Sequence, residues 1–116
     1  MSSLLIHIAT GPENPTRAAL GLLVARTALE EGHEVAVFLA GDAVDLLRPE
    51  TREVAAGIGT GSVREHRQAL RSGGARLFAS GQSSKARGVT GDDGVELAPP
   101  ARLVALIAES DRVVSY

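Results

Sequence analysis

Apolar residues fall in short blocks separated by polar, glycine-bearing breaks. Residues 3–9 (SLLIHIA) are largely apolar and end at Thr10-Gly11-Pro12, and so short a run before turn signals predicts a buried strand. Residues 34–40 (EVAVFLA), closed by Gly41-Asp42, predict a second strand. Residues 75–79 predict a third, 95–97 a brief fourth and 112–115 a closing one. Asn14 is a good helix cap and Pro15 suits the first helical position, so a helix is expected over 15–31, stopped by Gly32. Residues 43–47 predict one helical turn. Region 48–61 reads as a loop with a helical piece at 50–56, because Pro49 and glycines 57, 59 and 61 break it up. Ser62 and Glu65 have capping-box spacing and open a helix to Ser72, which Gly73-Gly74 ends. Residues 80–88 read as a polar loop or short helix, and Pro99-Pro100 opens a last helix to about Ser110. Strands alternating with helices predict one α/β domain over 1–116. The expected fold is a three-layer α/β/α sandwich with a mainly parallel sheet of four or five strands.

The helix over 15–31 carries more apolar residues than one buried stripe needs. Ala18, Ala19, Leu20, Leu22, Leu23, Val24, Ala25, Ala28 and Leu29 cover nearly its whole circumference. The last helix shows the same excess. Self-association is the expected reason, a partner subunit covering the outer side.

Composition narrows the function classes. With 44% hydrophobic and 22% charged residues, the 116-residue chain is globular rather than disordered. A net charge of -2 gives no global basic field for nucleic acid, and Phe38, Phe78 and Tyr116 are the only aromatic rings for base stacking. No apolar run reaches membrane-spanning length, so no membrane role is expected. The first residues lack a basic segment of the secretory type, which points to a cytoplasmic protein. Arginine far outnumbers lysine and alanine is abundant, a composition suggesting a GC-rich, bacterial origin. The absence of cysteine excludes disulfides, thiolate metal sites and every cysteine mechanism. His7, His33 and His66 are too scattered to form a ligand cluster, so neither metal nor cofactor is expected.

Ligands of an open parallel sheet bind beyond the carboxyl ends of its strands, here the loops 10–16, 40–43 and 80–88. The third offers Ser80, Gly81, Ser83, Lys85 and Arg87 within nine positions. Gly81 permits close backbone approach, and helix-initial N–H groups with two cations suit a small anion. Thr10 and Asn14 would contribute from a neighbouring strand end. His7 is expected in the core or an interface rather than as a base for Ser80, and His33 and His66 at the surface. Glu13 and Asp42 sit at the ligand edge as conceivable acid and base. Gly57-Ile-Gly-Thr-Gly61 lacks the spacing and the preceding strand of a dinucleotide site. Asp92-Asp93 with Glu96 reads as an exposed acidic turn rather than a cation site.

The stretch Ala79-Ser80-Gly81-Gln82-Ser83-Ser84-Lys85-Ala86-Arg87-Gly88, after a strand, resembles the DsrE/DsrF-like sulfur-relay family with its YchN-like fold. The opening Leu-Leu-Ile-His-Ile strand, Asn-Pro-Thr-Arg-Ala, Gly-His-Glu-Val-Ala-Val-Phe and the closing Asp-Arg-Val-Val-Ser-Tyr follow in the expected order. The resemblance implies a five-stranded sheet and a homotrimer or hexamer. It also implies that the residue before Gly81 should be a cysteine carrying persulfide sulfur, and here it is Ser80. A helix N-terminus lowers a thiol pKa, but a serine hydroxyl needs a general base, and residues 75–91 hold no His, Asp or Glu. The expectation is a non-catalytic, oligomeric binding or partner protein with a small-anion or sulfur-compound site at 80–88. The alternative is a hydrolase or transferase acting on a phosphorylated or CoA-like substrate through a non-cysteine base.

Overall fold

The computed structural model describes residues 1–91 and 94–116, so the predicted acidic turn at Asp92-Asp93 lies outside the described residues. Five strands form one sheet: β1 (Ser3–Ile8), β2 (Glu34–Leu39), β5 (Arg76–Ser80), β6 (Val95–Ala98) and β7 (Arg112–Ser115). Their order is β6-β5-β2-β1-β7, and every pairing is parallel. Helices connect them: α1 (Pro15–Glu30), α2 (Pro49–Arg52), α3 (Val63–Ser72), α4 (Gly81–Ala86) and α5 (Pro100–Glu109). The predicted turn at 43–47 is a 3-10 helix over Gly41–Leu47, and the helical piece expected at 50–56 is the shorter α2. The glycine-rich loop closes into a small antiparallel hairpin, β3 (Ala56–Gly57) with β4 (Gly61–Ser62).

Alternation along the strands splits the apolar residues between two faces. Ile6, Ile8, Val35, Val37, Leu39, Leu77 and Ala79 meet α1, α3 and the 3-10 helix in the larger core. Leu5, Ala36, Phe38, Phe78 and Ala98 meet α5 in a smaller one. The caps read from the sequence are in place. The Asn14 side chain accepts the Arg17 N–H at 3.1 Å, and Ser62 accepts the Glu65 N–H at 3.3 Å.

Much of the apolar excess on α1 is used within the chain. Ala18, Ala19, Gly21, Leu22 and Ala25 are buried, while Val24, Ala28 and Leu29 pack at the margin of the same core. Leu20 is 37% exposed. The last helix differs, with Val104 63% and Ile107 46% exposed.

His66 departs from its expected surface position. It is buried, its Nε2 lies 2.7 Å from the Thr60 carbonyl, and its ring lies against Gly61. Gly61 has φ +88° and a Cβ there would fall 2.7 Å from the imidazole, so glycine is required twice over. His33 is half-buried and accepts the Ser2 N–H at 3.0 Å. None of the described helices is long and apolar enough to cross a membrane.

Candidate functional site

The loops after β1, β2 and β5 lie side by side at the carboxyl edge, as the strand order requires. Gly11 is pressed so closely on the Asp42 carbonyl that a Cβ would sit 2.1 Å from that oxygen. The chain after β5 turns into α4, which packs on the 3-10 helix on the α1 side, whereas the chain after β6 turns into α5 on the other side. Ser80 and Ala98 are register partners at this divergence. Connections that part to opposite faces leave a crevice at the carboxyl ends, where open α/β sheets bind ligands.

The motif's three serines have different surroundings. Ser80 is the N-cap of α4, its Oγ accepting the Ser83 N–H at 3.1 Å. The Ser83 Oγ accepts the Gly41 N–H at 3.0 Å and ties the β5 loop to the β2 loop. Ser84 is fully buried, and its Oγ has no hydrogen-bond partner among the described residues.

Its two cations also differ. The Arg87 guanidinium is clamped by Asp42 and, at 2.8 Å, by Asp45. Partial desolvation opposes protonation, but the hydrogen bonds and charges of these two carboxylates outweigh it and raise the Arg87 pKa above its ordinary value. Arg48 joins the network, pairing with Asp45 and donating to the Arg87 carbonyl. Arg87 therefore braces the loop against the 3-10 helix. Lys85 is exposed and has no ion pair among the described residues, so it is the cation open to an incoming anion. Asn14 is committed to capping α1, and Thr10 is half-buried beside Gly11.

The conceivable bases are all held elsewhere. Both oxygens of the Glu13 carboxylate accept from the Gly11 N–H, at 2.9 and 3.1 Å. Asp42 pairs with Arg87. His7 lies in a row across the sheet, Ser115–His7–Phe38–Phe78–Glu96, facing α5. Its Nδ1 is 3.3 Å from the Ser115 Oγ, and burial lowers its pKa from the ordinary value. Ser80 lies two strands over and two residues up, roughly 10 Å or more away at the usual strand spacing. No ring nitrogen or carboxylate hydrogen-bonds to the Ser80 hydroxyl among the described residues. No group of His, Asp and Glu suited to a metal occurs there either.

A small void of about 20 Å³ between α1, α3 and the sheet has almost wholly apolar walls and room for little more than one water. The glycine hairpin is pinned to α1, with the Ile58 N–H donating to the Thr16 Oγ1 and the Thr60 hydroxyl donating to the Thr16 carbonyl. It is a structural clasp, and sequence spacing alone gave no sign of that role.

Comparison with known proteins places this geometry in a family. The chain is 35% identical over 119 residues to an uncharacterized protein of Methanopyrus kandleri, covering 97% of this chain and 93% of that one. The crystal structure of the ychN protein from E. coli superposes with a TM-score of 0.82 at 20% identity, covering all of both chains. A conserved protein of unknown function from Bacteroides thetaiotaomicron superposes with a TM-score of 0.75 at 16% identity, covering 99% of this chain and 95% of that one. Both structures share the fold of this chain. The DsrE/DsrF-like family model matches residues 2–116, and the chain belongs to that family.

Proposed function

We propose that this protein is a member of the DsrE/DsrF-like family that binds rather than carries sulfur. It holds a small oxyanion or sulfur compound at the 80–88 loop and works as an oligomer. The observation that carries this reading is the environment of Ser80. Its hydroxyl is a helix cap, and among the described residues no general base hydrogen-bonds to it, which leaves it without activation as a nucleophile. The hydrolase or transferase alternative is not favoured, because Glu13, Asp42 and His7, the bases considered for it, are engaged away from Ser80. Lys85 supplies the charge for the anion, Gly81 the close backbone approach, and Arg87 with Ser83 the rigidity. The exposed Val104 and Ile107 of α5, with Val113 of β7, support a second copy on that side.

The test is a thermal-shift titration with sulfate and thiosulfate on wild type and Lys85→Ala. Ligand at a hundred times its Kd stabilises by about 2.7 kcal/mol, a shift of roughly 10 °C for a domain this size. A shift in wild type that Lys85→Ala abolishes supports the site. No shift with either anion, or one that survives Lys85→Ala, removes the anion site from the proposal.

A further inference from the structure

The two edges of the sheet are built differently. β6 (VELA) carries Glu96 in mid-strand and runs into Pro99-Pro100. Charges and prolines of this kind keep a free edge from pairing with another chain. β7 (RVVS) has no proline, and its one charge is at its first position. That residue, Arg112, turns back to donate to the Asp111 carbonyl at 2.8 Å. β7 is the outer strand beside β1, and all four of its residues are exposed. Val113 lies beside Leu5 on the α5 face and is 42% exposed, and Val114 lies beside Ile6 on the α1 face and is 36% exposed.

The backbone of β7 says what kind of surface this is. The Tyr116 N–H donates to the His7 carbonyl and the Tyr116 carbonyl accepts from the Ala9 N–H, both at 2.9 Å, so Tyr116 turns both groups towards β1. Alternate residues of a strand turn these groups to opposite sides. Val114 therefore also faces β1, whereas Val113 and Ser115 turn theirs outward, where no strand lies among the described residues. Outward N–H and C=O groups at strand spacing are a template for a further strand. A helix or loop laid on one face would cover only one of the two valines. A strand added at the edge satisfies the backbone and flanks both.

We propose that the added strand is the β7 of a second copy, paired antiparallel about a twofold axis at Val114, so that two five-stranded sheets become one continuous sheet. In this register Val113 of each copy stands opposite Ser115 of the other, and every outward N–H and C=O of these residues is paired. Arg112 stands opposite Tyr116, and Val114 opposite its own copy, so no like charges meet. The contact is isologous and uses the edges up in pairs, so the assembly holds an even number of chains. The proposal rests on the reading of the protein as an oligomer and names the interface. Sedimentation velocity over a concentration series tests it, with wild type, Val114→Lys and Val114→Glu. Each variant alone puts like charges across the axis, and its dissociation constant should rise at least ten-fold. An equimolar mixture of the two variants should associate again, because opposite charges then meet there. Thermal midpoints of the dilute variants confirm that they are folded. A wild type that stays monomeric overturns both this proposal and the oligomeric reading. An oligomer that survives in both folded variants, an odd-numbered one, or a mixture that associates no better than its components overturns the β7 pairing and leaves the oligomeric reading standing.

Discussion

The two faces of the sheet are finished differently. On one face α1, α3 and the 3-10 helix seal a core that includes residues from most elements of the chain. On the other a single ten-residue helix covers Leu5, Phe38 and Phe78, and Leu106 is its only buried residue. Beyond α5 this second face is more open: His7 is half-buried, while Val113 and Ser115 are exposed. A face closed by many elements resists the loss of one contact. A face closed by one helix depends on the few side chains that anchor it.

The largest effect should come from that anchor. Leu106→Ala removes a fully buried side chain, and such truncations cost about 2–5 kcal/mol. For a domain of this length the midpoint should fall by roughly 8–20 °C. Val104→Ser, on the outer side of the same helix, should change the isolated chain by less than about 0.5 kcal/mol. The two thermal midpoints check the contrast. Equal losses would mean that α5 is not held through Leu106.

A smaller effect separates the serines of the 80–88 loop. Ser80→Ala removes the cap of α4 and should cost about 1 kcal/mol. Ser84→Ala removes a buried hydroxyl that has no partner among the described residues and should be neutral or slightly stabilising, as denaturant midpoints would show. Ser80→Cys adds a chemical readout. A thiol at the cap position should alkylate with an apparent pKa below the free-cysteine value of about 8.5. An unshifted pKa would show that α4 does not activate the position.

What the sequence made legible follows the same division. The strands, α1, α3 and their caps were readable because apolar periodicity and capping chemistry are local. The identity of the 80–88 loop was readable from its residues, but the partners of its charges were not. Arg87 is 45 positions from Asp42, and only the parallel register of β2 and β5 brings their loops together. His66 was misread because its ring faces a glycine hairpin that carries no apolar pattern.

The smallest expected effect concerns the open face itself. Burial lowers the pKa of His7 from its ordinary 6.5, so the folded chain favours the neutral imidazole. Below pH 6.5 the unfolded chain takes up that proton more readily than the folded one. The contribution of His7 is therefore lost as the pH falls below 6.5, and stability declines towards acid. Wild type should lose midpoint between pH 7 and pH 5 more steeply than His7→Leu. The same comparison bears on what covers this face. If a second copy packs over Ser115 and His7, association buries the imidazole further and lowers its pKa again. The difference between wild type and variant should then widen as protein concentration rises. A difference independent of concentration would leave the His7 row facing solvent and move any self-association to another part of the surface.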